Sequence, residues 1–137
     1  MLGFCSTDGK IHLVGAKTKT TIRKLEGHIG PLNDFDWSST NELILSVGCD
    51  KTIRIWDTNA GNCIRTIESP EFIPNNKITT QIKIKNKQQT TPTTPITVSN
   101  IPTCCLFHPL NNNIFLIGFS TGFVQFFNLS TGKTFLF

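Results

Sequence analysis

The chain has 137 residues, a formal net charge of +4 and 38% hydrophobic residues. Its first ten residues lack the basic start and apolar run of a signal peptide, and no apolar stretch is long enough to span a bilayer. The five cysteines are odd in number and follow no framework spacing. We therefore predict reduced thiols in a nuclear or cytoplasmic protein that neither spans nor binds a membrane.

Three segments of the chain repeat, starting at Asp8, Asp50 and Thr121. Each is a tight turn followed by alternating side chains, a pattern typical of a β-strand. The first two lie 42 residues apart and the last two 71, an excess of 29 that is close to the length of a polar insertion between them. One repeat period thus governs the whole chain.

These repeats divide the chain into four regions, in which we predict strands but no helix. Residues 1–25 are the end of an incomplete unit, with strands at 1–6, 10–14 and 20–25. Residues 26–68 form a complete four-stranded unit, with strands at 33–37, 42–47, 52–57 and 63–67. Residues 69–101 are a linker, and residues 102–137 are a degenerate unit with strands at 103–107, 114–118, 123–128 and 134–137.

The linker differs from the rest of the chain in composition. It is rich in Thr, Pro, Asn and Lys, and every Asp and Glu of the protein falls at or before Glu71. Such a segment buries too little apolar surface to offset the entropy of ordering it, so we predict a disordered insertion. Ile78, Ile82 and Ile84 alternate with polar residues, and a short strand there is the alternative.

Four polar or amphipathic residues of the complete unit have a spacing that suits a hydrogen-bonded chain. They are His28 in the entry loop, Ser46, Asp50 and Trp56. The indole N–H can reach the hydroxyl, the hydroxyl the imidazole, and the imidazole the carboxylate. We predict a structural network and no catalytic site. A Ser/His/Asp triad would need an exposed hydroxyl, whereas this serine lies in mid-strand.

The run 25–28 (Leu-Glu-Gly-His) and the run 53–57 (Ile-Arg-Ile-Trp-Asp) resemble the WD-repeat family. That resemblance implies part of an all-β propeller built from four-stranded antiparallel blades, and a non-enzymatic scaffold without a cofactor. The outer units depart from the pattern. Val14 and Phe4 replace the tryptophan and serine in the first; Phe127, Ile117 and Thr121 replace tryptophan, serine and aspartate in the last. We expect those two blades to lack the polar network and to rely on apolar packing.

Propellers typically close with about four to eight blades of roughly 40 residues each. We therefore expect a propeller fragment that associates with itself or needs further blades, and a truncated product without a function of its own is one alternative.

Two other patterns in the sequence are weaker indications of a chemical site. Gly132-Lys133-Thr134 lacks the earlier glycine of a phosphate-binding loop. Cys104 and Cys105 point to opposite faces of a strand, so with His108 they make a poor metal site.

The family resemblance favours protein–protein binding, with the partner identity unknown. We predict that Asn33 and Lys51, in the loops near His28, face a partner. Contact with nucleic acid or an acidic surface through the linker lysines is the alternative, but the stretch between Lys77 and Lys87 has no aromatic residue for base stacking. The Ser/Thr-Pro dipeptides predict phosphorylation at three sites, Ser69, Thr91 and Thr94.

Overall fold

A computed structural model of the chain describes residues 1–70 and 99–136. These residues form eleven β-strands in three antiparallel sheets. The first sheet contains β1 (Leu2–Cys5), β2 (Ile11–Val14) and β3 (Thr21–Leu25). The middle sheet contains β4 (Leu32–Trp37), β5 (Leu43–Gly48), β6 (Thr52–Asp57) and β7 (Cys63–Glu68). The last sheet contains β8 (Pro102–His108), β9 (Asn111–Phe119), β10 (Val124–Asn128) and β11 (Thr134–Leu136). The predicted all-β fold class is confirmed.

Each sheet is a simple meander in which consecutive strands pair. Because the strands alternate in direction, their connections collect at two opposite ends of the sheets. We call one the His28 end; it carries the loop 26–31 and the turns 6–10, 48–51 and 120–123. We call the other the Asn41 end; it carries the turns 15–20, 38–42, 58–62, 109–110 and 129–133.

The middle sheet is covered on both faces, which explains the continuous apolar run in β5. Ile44 packs towards the first sheet, in a cluster with Ile11, Leu13, Leu25 and Trp56. Its neighbours Leu45 and Val47 pack towards the last sheet, in a cluster that includes Phe107, Phe115 and Ile117. Successive side chains of a strand point to opposite faces of the sheet. A sheet that lies between two others therefore needs apolar residues on both faces of its strands.

Two carboxylates join the middle sheet to the last one. Asp34 Oδ2 accepts a hydrogen bond of 2.9 Å from the backbone N–H of Cys105, and Asp36 Oδ2 accepts one of 2.8 Å from that of Phe107. The two aspartates are two residues apart on β4, so their side chains leave the same face of the strand. Together they hold β8 beside β4 in one register.

The predicted strands agree with the observed ones to within a few residues at each end. The largest difference is β9, which begins at Asn111 instead of residue 114. His108 pairs with Asn111 across the two-residue turn Pro109-Leu110, so pairing starts directly after the turn. Predictions made for residues 71–98, including the disordered insertion and the stray strand, lie outside the described residues. Within the described part of the chain, no helix has the length and apolarity to cross a bilayer.

Candidate functional site

The structure brings the four residues predicted to form a network into contact from the entry loop, β5, the β5–β6 turn and β6. Trp56 Nε1–H donates to Ser46 Oγ at 2.8 Å, and Ser46 Oγ lies 2.8 Å from His28 Nε2. The other ring nitrogen, His28 Nδ1, lies 3.0 Å from both oxygens of Asp50. His28, Ser46 and Trp56 are buried, with exposures of 7%, 0% and 1%. The indole, hydroxyl, imidazole and carboxylate thus form one continuous chain.

The donors and acceptors of this chain match only when His28 is neutral. A carboxylate can only accept, so we assign the imidazole proton to Nδ1. Nε2 then accepts from the Ser46 O–H, while the Ser46 oxygen accepts from Trp56. Protonation of Nε2 would leave the buried Ser46 hydroxyl without an acceptor in the network. Burial also lowers the pKa of His28 below 6.5, although the hydrogen bond and charge of Asp50 oppose that shift.

Asp50 ties the network to the loops at the His28 end. Its carboxylate accepts from the backbone N–H groups of Ile29 at 2.9 Å and Thr52 at 3.1 Å, and from the Thr52 hydroxyl at 2.8 Å. Burial alone would raise the pKa of Asp50, but these hydrogen bonds and the one from His28 outweigh it, so the pKa lies below 3.8. One ionised side chain therefore fixes the entry loop, the β5–β6 turn and the imidazole together.

The last sheet keeps a reduced polar link where we expected only apolar packing. Thr121 Oγ1 donates to Asn100 Oδ1 at 2.6 Å, and Asn100 Nδ2 donates to the Pro70 carbonyl at 3.2 Å. Thr121 stands at the position of Asp50, as predicted, but Asn100 as its partner was missed. Apolar packing does hold the positions below it: Phe127 stacks on Phe115 with ring centroids 5.0 Å apart.

The two residues predicted to face a partner behave differently. Lys51 is exposed in the β5–β6 turn, with a positive φ of 63°. Asn33 is also exposed, but its amide is occupied within the protein. Its Nδ2 donates to the Pro102 carbonyl at 2.8 Å, and its Oδ1 accepts from Cys49 Sγ at 3.1 Å. Asn33 therefore joins the middle and last sheets, and Lys51 is the better candidate for an external contact.

Ser69, one of the three predicted phosphorylation sites, directly follows β7. Its Oγ is buried and has no hydrogen-bond partner in the described part of the chain. Its backbone N–H extends the β6–β7 pairing by donating to the Lys51 carbonyl at 2.8 Å. Thr91 and Thr94 lie outside the described residues.

The geometry does not favour a Ser/His/Asp catalytic triad at Ser46 or a metal site at Cys104 and Cys105. Ser46 has no exposed surface, and its hydroxyl is held by both His28 and Trp56, so it cannot meet a substrate as a nucleophile. Cys104 is exposed whereas Cys105 is buried, and burial raises the pKa of the Cys105 thiol far above its ordinary value. No group of three or more His, Cys, Asp or Glu side chains suited to a metal occurs in residues 1–70 and 99–136.

Sequence reasoning missed Ile29, which is the most exposed large hydrophobic residue of the His28 end among the residues that the structure describes. Its side chain is 82% exposed, although its backbone N–H is held by Asp50. Ile29 follows His28 directly in the sequence. An apolar residue next to a predicted network residue in a loop was therefore the available signal for an exposed, fixed side chain. Asp34 and Asp36 were also missed; their spacing of two residues in a strand was the available signal.

Comparisons with known proteins agree with this geometry. Residues 19–57 match the family model described as "WD domain, G-beta repeat". The crystal structure of the Cps50 (Swd1) β-propeller domain from Myceliophteria thermophila superposes with a TM-score of 0.69 at 15% identity, covering 98% of this chain and 34% of that one. Residues 19–57 are therefore similar to a WD40 repeat, and the three sheets have the fold of part of a β-propeller.

Curated relatives match shorter stretches. U3 small nucleolar RNA-associated protein 21 homolog from Schizosaccharomyces pombe is 36% identical over 46% of this chain, which spans 7% of that relative. WD repeat-containing protein AAC3 from Dictyostelium discoideum is 44% identical over 37% of this chain, spanning 11% of that relative. Pre-mRNA-splicing factor cwf17 from S. pombe is 38% identical over 47% of this chain, spanning 20% of that relative. The chain thus spans a fifth or less of these proteins.

Proposed function

We propose that this chain is a non-catalytic protein-binding scaffold, and that a partner protein docks on the His28 end. WD40-repeat proteins are typically scaffolds, which supports the general role. The observation that carries the location is the fixed display of Ile29. The Asp50 carboxylate holds the Ile29 backbone at 2.9 Å, while the apolar side chain projects into solvent.

An anchor of this kind suits protein recognition for an energetic reason. Binding pays an entropy cost when it orders a mobile loop, and a loop held in advance avoids much of that cost. An exposed isoleucine also gains from burial on contact with a partner. Lys51 lies in the neighbouring turn and adds a positive charge. We therefore expect a partner surface with an apolar recess beside acidic groups.

Ile29→Asp tests the location, and Leu110→Asp is a matched control. Leu110 is 88% exposed in the turn at the opposite end of the sheets. Both variants place the same charge on an exposed apolar position. Proteins recovered with the tagged chain from cells would be quantified by mass spectrometry. We expect Ile29→Asp, and to a smaller extent Lys51→Ala, to lose partners that Leu110→Asp retains. Loss with Leu110→Asp alone would contradict the proposal.

The outer faces of the first and last sheets favour a second copy of the chain as a further partner. Leu2 and Phe4 of the first sheet are 60% and 51% exposed, and Leu106 and Phe135 of the last sheet are 56% and 58% exposed. Exposed apolar faces and open strand edges promote association. We expect the 137-residue chain to sediment as dimers or larger species at micromolar concentration. A single monomeric species across that range would contradict this expectation.

Two narrower assignments stay predictions. Residues 104–113 and 128–133, taken together with 34–38 and 63–65, resemble WD repeat-containing protein 13 and its relatives, whereas the relatives reported above carry other names. A nuclear or cytoplasmic location is consistent with relatives named for small nucleolar RNA association and pre-mRNA splicing. The nucleic-acid alternative depends on linker lysines that lie outside the described residues.

A further inference from the structure

A cavity of about 100 Å³ opens between the middle and last sheets at the Asn41 end. Its apolar lining consists of Ile67 from β7 and Phe115, Phe127 and Leu129 from the last sheet. Phe115 and Phe127 are stacked with an interplanar angle of 6°. Sites for drug-sized ligands are usually several times larger, roughly 300–1,000 Å³. The cavity suits one aliphatic side chain of a larger partner.

The rim of this cavity is positively charged. Arg65 lines the cavity, and its Nη1 donates to the Leu129 carbonyl at 3.1 Å, which holds the guanidinium at the opening. In residues 1–70 and 99–136, ion pairs involve only Lys10, Asp8, Glu26, His28 and Asp50. Arg65 therefore has no carboxylate partner there.

An arginine held in this way has donors left for an external acid. A guanidinium carries five N–H donors in a fixed fork, and the bond to Leu129 uses one of its nitrogens. Carboxylates match that fork and form charge-assisted hydrogen bonds with it. The last sheet adds no opposing charge, because the sequence contains no Asp or Glu after Glu71.

We propose that this cavity, the Arg65 pocket, binds an acidic peptide segment of a partner protein. One aliphatic side chain of the peptide enters between the sheets, and a neighbouring Asp or Glu carboxylate pairs with Arg65. The pocket lies at the end opposite Ile29 and Lys51. It is therefore a second surface, and the proposal that it binds a peptide is independent of the proposal that a partner docks at the His28 end.

Fluorescence anisotropy of labelled pentapeptides with the complete 137-residue chain tests this proposal. The probe is Glu-Glu-Leu-Glu-Glu; Glu-Glu-Ser-Glu-Glu removes the apolar anchor, and Lys-Lys-Leu-Lys-Lys reverses the charge. We expect saturable binding of the probe and about tenfold weaker binding of both controls, corresponding to about 1.4 kcal/mol for each. Added salt should weaken binding of the probe, since part of the attraction is between charges.

Two arginine variants make the test specific to the pocket. Arg65→Gln removes the charge at the rim and should weaken probe binding about tenfold. Arg23→Gln is the matched control, because Arg23 Nη1 also donates to a backbone carbonyl, that of Ala60 at 3.2 Å, but lies on the first sheet. Circular dichroism would verify that both variants fold as the parent does.

Several results would overturn the proposal. Equal binding of the leucine and serine peptides would show that charge alone attracts them and that the cavity has no role. Equal weakening by Arg23→Gln and Arg65→Gln would show a diffuse effect of net charge. Absence of saturable probe binding to the parent chain up to about 1 mM, a free energy near −4 kcal/mol, would exclude a peptide site of useful affinity. The peptide comparisons remain decisive even if Arg65→Gln fails to fold.

Discussion

The middle and last sheets share one strand order but hold their third strands differently. In the middle sheet, Trp56 donates to a buried serine and so joins a chain that ends at Asp50. In the last sheet, Phe127 occupies the corresponding position and stacks on Phe115. The comparison shows that this architecture tolerates either a directional polar network or a non-directional aromatic contact at the same place.

The two solutions should fail in different ways. Each member of a buried network needs its partner, so removing one group leaves another unsatisfied in a medium where water cannot replace it. Aromatic packing depends on volume and contact area instead, and a cavity of about 100 Å³ lies beside Phe127. Substitutions at equivalent positions can therefore separate the two modes.

The largest difference is expected at the Trp56 and Phe127 positions. Trp56→Ala removes a side chain that is 1% exposed and leaves Ser46 without its indole donor. Truncation of a buried Trp costs about 3–5 kcal/mol, to which the unsatisfied hydroxyl adds. Phe127→Trp should change the free energy of unfolding by less than about 1 kcal/mol, because the adjacent cavity offers room for the larger ring.

Urea denaturation checks this pair, at concentrations where the parent and both variants sediment alike. Ellipticity would report the loss of the sheets. A larger loss of stability for Phe127→Trp than for Trp56→Ala would reverse the comparison. It would show that packing in the last sheet is more demanding than the network in the middle one.

A smaller difference is expected between Asp50→Ala and Thr121→Ala. Asp50 accepts from His28, Ile29 and Thr52, so its loss leaves the buried His28 imidazole and two less buried donors without this acceptor, and it should cost about 1–3 kcal/mol. Thr121→Ala removes one neutral hydrogen bond to Asn100 and should cost about 0.5–1.5 kcal/mol. The denaturation midpoints would give both values. An unchanged midpoint for Asp50→Ala would argue against a stabilising network.

The smallest effect concerns pH and, between pH 7 and 5.5, involves His28 of the middle sheet. Burial lowers the pKa of His28 below 6.5, so near that pH the unfolded chain takes up a proton that the folded chain resists. The free energy of unfolding should therefore fall as the pH drops from 7 towards 5.5, by less than about 1.4 kcal/mol per pH unit. The pKa of Asp50 is also lowered, which adds a second loss of stability as the pH falls through 3.8.

His28→Gln isolates this contribution, since glutamine does not titrate. We expect that variant to have a flatter dependence of stability on pH between 7 and 5.5 than the parent, whatever its absolute stability. The Asn100–Thr121 link of the last sheet has no titrating group and should not contribute. Stability that increases on acidification from pH 7 to 6 would contradict the assignment of a neutral His28.

Much of the architecture was accessible from the sequence because it depends on local patterns. Alternation and turn residues located all eleven described strands to within a few residues, since both follow from backbone geometry within one segment. The four network residues were accessible for a related reason. Ser46, Asp50 and Trp56 belong to one strand–turn–strand unit, so their spacing in the chain fixes their spacing in space.

Contacts between sheets were decided only by the tertiary structure. Asp34 reaches Cys105 across 71 residues, and Arg65 reaches Leu129 across 64, so no local pattern could pair them. Asn100 likewise meets Thr121 because the chain re-enters the last sheet beside it. Periodicity determines which side of a strand a residue occupies, because two residues always complete one repeat of the pleat. Which residue of the neighbouring sheet it meets depends on how the two sheets pack against each other. That packing is decided by all the residues of the two apolar faces together.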